Sequence, residues 1–140
     1  MKLITLLLSL TLGFSAMAQD SWKVALNGKE LLSTAEEKPE GNIVTLSKAD
    51  LAKTANFLVK YTEKEPQTGW KRSIVLVDKG ENEMQTETGR ILTVSGKTLL
   101  AQLQKEGTLY VYTWALPTDP ELAARIRVRR VHLCTIKLKG

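Results

Sequence analysis

Turn residues recur at short spacing along this chain, and the runs between them favour extended structure. Residues 22–26 alternate apolar and polar. Asn27-Gly28 follows, a pair suited to a type I′ turn because both central residues need positive φ. Residues 29–32 then return as the second strand of a hairpin, and 33–41 are polar loop. Strands are expected over 42–46, 57–61 and 70–77, with Phe57, Val59 and Tyr61 on one face of the second. Residues 84–88 and 90–94, divided by Gly89, read as a weaker hairpin. Strands over 108–114 and 125–138 complete the set, the last being the longest.

Helical signals are few. Ser47 and Asp50 have capping-box spacing, which predicts one or two turns through about residue 56. Leu99, Leu100 and Leu103 have helical spacing over 97–105, and Gly107 ends that segment. Residues 115–120 read as loop, and Asp119 can cap a short turn that starts at Pro120. Seven to eight short strands with small helical insertions predict an all-β fold, a β-sandwich of Ig-like or jelly-roll-like arrangement. A parallel α/β fold would need regular helices between successive strands. The Cys…Trp…Cys pattern of true immunoglobulin domains is absent.

The first eighteen residues set the compartment. Met1-Lys2 is a short positive start, residues 3–14 are an almost unbroken apolar run, and Ala16-Met17-Ala18 has the A-x-A pattern of a signal-peptidase site. The run is shorter than the roughly 20 apolar residues a membrane span needs, and no later stretch reaches that length. The expectation is a signal peptide over 1–18, cut after Ala18, and a single domain over 19–140 with no membrane span, exported to a periplasmic or extracellular space. About 120 residues are enough for a real core. The 20 Lys and Arg stand against 15 Asp and Glu, a mild net charge of +5 that is spread along the chain except at its C-terminal end. Export and this diffuse charge argue against a nucleic-acid partner.

Cys134 is the one cysteine, so disulfides do not stabilise the fold and burial must. His132 is the one histidine, two residues away. On a regular strand the two side chains share a face, which makes them weak candidates for a thiolate–imidazolium pair or for ligands to a soft metal such as copper. The alternative is that both fill the core beside Ile136 and Leu138.

Other motifs fail on their own chemistry. Ser95-Gly96-Lys97-Thr98 resembles the end of a P-loop, but Ile91 stands where the first glycine is required. Asp78, Gly80 and Asn82 could offer oxygen ligands to Ca²⁺, yet the EF-hand pattern is not met. No G-x-S-x-G elbow accompanies a serine. Glu36-Glu37, Glu63/Glu65 and Glu81/Glu83 lie in or beside loops and read as solvated charge rather than as a glycosidase pair. No cofactor and no metal site are implied.

One constellation stands out. Alternation over 108–114 puts Tyr110, Tyr112 and Trp114 on one face, and Leu109 and Val111 on the other. Over 125–129 it puts Arg125, Arg127 and Arg129 opposite Ile126 and Val128. If the aliphatic sets are the inward ones, the outer face carries three aromatics beside three arginines, a surface suited to glycans or an acidic partner. If the aromatics point inward, the arginines are an ordinary solvated ladder. Strict alternation past Arg129 would turn Arg130 toward the apolar face. A β-bulge at Arg129-Arg130 would avoid this and expose His132 and Cys134 together. The sequence therefore predicts a small exported non-catalytic binding module. The alternatives are a cell-envelope assembly component that pairs through an edge strand, or a Cys/His-dependent enzyme or soft-metal binder.

Overall fold

The computed structural model describes residues 19–52 and 54–139. The apolar segment and the cut after Ala18 lie outside the described residues. The chain runs β1 (Ser21–Leu26), β2 (Lys29–Thr34), β3 (Ile43–Leu46), α1 (Lys48–Ala52), β4 (Asn56–Thr62), β5 (Trp70–Val77), β6 (Glu83–Thr88), β7 (Ile91–Ser95), α2 (Gly96–Glu106), β8 (Thr108–Pro117), α3 (Pro120–Ala123) and β9 (Val131–Leu138). One sheet has the order β2–β1–β4–β7 and the other β3–β9–β8–β5–β6. All neighbours are antiparallel except β3 and β9.

The expected β-sandwich is what forms. Immunoglobulin-like sandwiches place strands A, B and E in one sheet and C, F and G in the other. Here β1, β4 and β7 share one sheet while β5, β8 and β9 share the other, with β6 added beside β5. One hydrophobic cluster joins both sheets, built from Val24, Phe57, Val59 and Leu92 on one side and Ile74, Leu76, Leu109, Val111 and Ile136 on the other. Trp22 ties the layers together, because its indole N–H donates to the Leu133 carbonyl at 2.8 Å.

Local signals explain the elements. Asn27 and Gly28 both take positive φ, +54° and +86°, as the turn requires. Ser47 Oγ accepts the Asp50 N–H, and Ser95 Oγ accepts the Thr98 N–H at the start of α2. Helix α2 buries Leu99 and Leu103 and ends at Gly107, whose N–H donates to the Leu103 carbonyl. The contact of α1 with α2 closes one end of the sandwich. The opposite end, where β1, β5 and β7 begin and β4 and β8 finish, carries loops and the short α3.

Several expectations are corrected. Nine strands form against the seven to eight expected, since every extended run marked in the sequence, the weaker 84–88 and 90–94 included, becomes one. Those two are not a hairpin: Gly89, at φ +126°, passes the chain from one sheet to the other. Residues 115–117 extend β8 rather than forming loop, since β5 pairs it out to Trp70↔Pro117. The strand expected over 125–138 begins only at Val131. Four arginines in six residues would load both faces of a strand with charge, and the inward-facing one would need a buried acid. The chain leaves the sheet there instead. The irregularity lies further on, as Val111 pairs with Cys134 and Tyr112 with His132, leaving Leu133 as the extra residue.

Candidate functional site

β8 settles the direction of the aromatic row. Leu109 and Val111 are buried in the core, while Tyr110, Tyr112 and Trp114 stand half-buried on the outer face. Across that face Tyr112 pairs with Val75 of β5 and His132 of β9, and Tyr110 pairs with Val77 and Thr135. Val75 and Val77 lie outside the core cluster yet are buried, so they form a small apolar floor between the rings. The Tyr110 and Tyr112 rings are 6.4 Å apart, and the His132 ring meets Tyr112 edge-on at 5.6 Å.

The arginine beside the row is Arg130. Its guanidinium carbon sits 3.9 Å from the Tyr112 ring centroid, and its Nη2 donates to Glu81 at 2.7 Å. Arg125, Arg127 and Arg129 were expected on a strand next to the aromatics and are found on the exposed segment before β9 instead. Arg129 is held by Glu37 at 2.6 Å. The other oxygen of Glu37 accepts the His132 backbone N–H at 2.8 Å. The side chains of Arg125 and Arg127 have no ion pair or hydrogen bond among the described residues.

His132 and Cys134 do not share a face. The extra residue at Leu133 sends both Leu133 and Cys134 into the core and leaves His132 on the side of Tyr112. Cys134 is fully buried, and burial pushes its thiol up to about 12. His132 is also buried. Its Nε2 lies 2.8 Å from Thr135 Oγ1, and its Nδ1 has no partner among the described residues. Burial lowers its pKa, with Glu37 opposing. Among the described residues no group of three or more His, Cys, Asp or Glu is placed to hold a metal ion. The Asp78 carboxylate, a candidate Ca²⁺ ligand by sequence, accepts the N–H groups of Gly80 and Asn82 and so caps its own turn.

A second polar cluster lies at the open end, and the sequence reading missed it. Arg72 donates to Glu63 at 2.7 Å and to Thr113 Oγ1 at 3.0 Å, and its guanidinium carbon covers the Tyr61 ring at 4.1 Å. Arg90 takes the other oxygen of Glu63 at 2.8 Å. Tyr61 donates its hydroxyl to Asp20 at 2.7 Å and stacks on Trp22. Burial and the bond to Asp20 raise the Tyr61 pKa, so the phenol stays a donor. For Glu63, burial works upward, but the bonds from Arg72 and Arg90 outweigh it and the net shift is down. The signal was present: Arg72 falls on the same strand face as Ile74 and Leu76, and an inward arginine requires a nearby carboxylate. Above the network a cleft of about 340 Å³ opens between Asp20, Glu63, Gln67, Trp70 and Ala115. No protein-family model and no curated protein matches this chain.

Proposed function

We propose that this chain is an exported, non-catalytic binding module whose contact surface is the outer face of the five-stranded sheet. The observation that carries this reading is the outward, half-exposed row Tyr110–Tyr112–Trp114 with Arg130 stacked on its centre. Aromatic rings give flat apolar area at low entropic cost, and a guanidinium fork takes carboxylate or sulfate. Glycans and acidic partners both offer such groups. Arg125 and Arg127, with no acidic partner among the described residues, extend the cationic side of the surface.

The test is a titration of the exported protein with a sulfated glycan, a neutral glycan and an acidic peptide, followed by Trp fluorescence. Removing an aromatic anchor at a binding surface costs about tenfold or more in affinity. Tyr112→Ala and Trp114→Ala should each show this loss, and Arg125→Ala/Arg127→Ala a smaller one. Unchanged binding of every ligand by all three variants overturns the reading.

A second reading, an envelope assembly component that pairs through a strand edge, is favoured by one observation. β8 pairs with β5 as far as Pro117, but its ladder to β9 stops at Thr113↔Val131. Residues 114–117 thus offer an edge of the kind that takes an added strand. A larger native mass in envelope extract that Tyr112→Ala and Trp114→Ala both retain would favour this reading over the first.

A further inference from the structure

Leu76, Ile74, Arg72 and Trp70 follow one another at every second position of β5, on the face turned toward the other sheet. The two aliphatics are sealed in the core, and Arg72 meets Tyr61 of β4 and Glu63 just beyond it. Trp70, the next position outward, has no such cover and is 40% exposed. Its indole has no ring, guanidinium or hydrogen-bond partner among the described residues. The uncovered ring borders the cleft of about 340 Å³ above the Arg72 network, a volume near the lower limit of small-molecule sites, about 300 Å³. The carboxylates of that cleft are mostly engaged. Asp20 accepts the Tyr61 hydroxyl with one oxygen and the Lys64 N–H with the other, and Glu63 divides its oxygens between Arg72 and Arg90. Arg72 keeps one donor in reserve. Its Nε and Nη1 are bonded, but Nη2 stands 4.0 Å from Asp20, beyond hydrogen-bond length, on a side chain only 13% exposed.

We propose that this cleft is a subsite for a neutral saccharide ring, stacked on Trp70 and hydrogen-bonded along its edge by Arg72 Nη2 and by Gln67 at the rim. The charge pattern selects the ligand. An anion would face Asp20, Glu63 and Glu65 together. A cation would meet Lys64 and Arg72, and would find Asp20 and Glu63 already bonded. A wholly apolar ligand would strip water from these groups without replacing its hydrogen bonds. Sugar hydroxyls both donate and accept, so they satisfy groups of either sign while adding no charge. The C–H face of a pyranose supplies the flat apolar partner that the indole lacks. Trp70 and the Tyr110–Tyr112–Trp114 row lie on opposite faces of the five-stranded sheet, so this inference does not depend on the outer-face reading above.

The experiment is calorimetric titration of the exported protein with neutral hexasaccharides of glucose, mannose and N-acetylglucosamine, and with a sulfated glycan, at low and high salt. At least one neutral hexasaccharide should bind, and salt should leave its affinity unchanged, because no ion pair forms. Trp70→Ala should weaken that binding about tenfold or more, and Trp70→Phe, which keeps a flat ring, should weaken it less. Circular dichroism checks the fold of both variants. Sulfated-glycan binding should be the same in Trp70→Ala as in wild type, which separates failure of this subsite from failure of the outer-face reading. The proposal is overturned if no neutral hexasaccharide binds, or if Trp70→Ala binds it as well as wild type. Neutral binding that Trp114→Ala loses and Trp70→Ala keeps would overturn it in favour of the outer face. Binding of the sulfated glycan alone, lost in Trp70→Ala, would overturn the neutral class in favour of an anion.

Discussion

The guanidinium of Arg130 covers the ring of Tyr112 at 3.9 Å while donating to Glu81 at 2.7 Å. One side chain thereby links the segment before β9 to the β5–β6 turn across the aromatic row. Both charged groups keep substantial solvent contact, so the pair itself contributes little and stacking supplies much of the effect. Arg130→Ala should cost about 1 kcal/mol in urea unfolding. Arg130→Lys should keep the ion pair but lose most of the stacking. A double-mutant cycle with Tyr112→Ala should return a coupling of about 0.5 kcal/mol.

The Arg72–Glu63 pair is a different case, because both side chains are largely buried. Arg72→Ala leaves Glu63 with Arg90 alone and removes the cover from Tyr61. The expected loss is about 3 kcal/mol in chemical denaturation, since breaking a buried pair leaves a charge without its partner. Arg72→Met combined with Glu63→Leu should recover a large part of it, because the apolar pair carries no desolvation penalty. Glu63 also predicts an acid limb. Its folded pKa is lowered, so its stabilisation is present above the unfolded value of about 4.3 and is lost as pH falls through the folded value. Glu63→Gln should flatten that part of the stability profile.

What could be read in advance follows from the range of the interactions involved. The Asn27-Gly28 turn and the Ser47 cap are set by neighbours within a few residues, and turn and capping signals reveal them; alternation puts Tyr110, Tyr112 and Trp114 on one face of β8 but does not say whether that face points outward. Segment 125–130 has strand-like alternation, but its pairing depends on β8 and on Glu37, roughly ninety positions earlier. The extra residue at Leu133 is set by how β8 and β9 register, so sequence spacing alone placed His132 and Cys134 on one face. Glu63, Arg72 and Thr113 come from three separate stretches of chain, and only the inward position of Arg72 hinted that they meet.

His132 predicts a second pH effect near neutrality. Burial lowers its folded pKa below the unfolded value of about 6.5. The unfolded chain therefore binds the proton first. Stability is fully present above about pH 6.5 and is lost as pH falls from there through the folded pKa. The melting temperature should drop as pH falls below about 6.5, and His132→Gln should reduce the slope of that drop. An equal slope in the variant would mean that another group titrates there. Cys134 gives an internal check on the same samples. With its thiol buried and pushed up to about 12, it should react with a thiol reagent only after unfolding.

Gly96 tests the closed end of the sandwich. It begins α2, and its N–H donates to the Ala55 carbonyl at 2.8 Å. A Cβ at this position would lie 2.7 Å from the Leu51 carbonyl oxygen and 3.2 Å from that of Ala55. Both obstacles are backbone, so no side chain can swing aside. Gly96→Ala gains helix propensity worth about 1 kcal/mol, but it must push α1 away from α2, an overpacking cost of about 1–3 kcal/mol. The contact should win, because one carbonyl belongs to α1, a single turn anchored by the buried Leu51, and the other to Ala55, held just before β4 by its bond from the Gly96 N–H. A net destabilisation of about 1 kcal/mol is expected in urea unfolding. Gly96→Val should cost more, through its second branch. A stabilised Gly96→Ala variant would show that the two helices yield freely at this end.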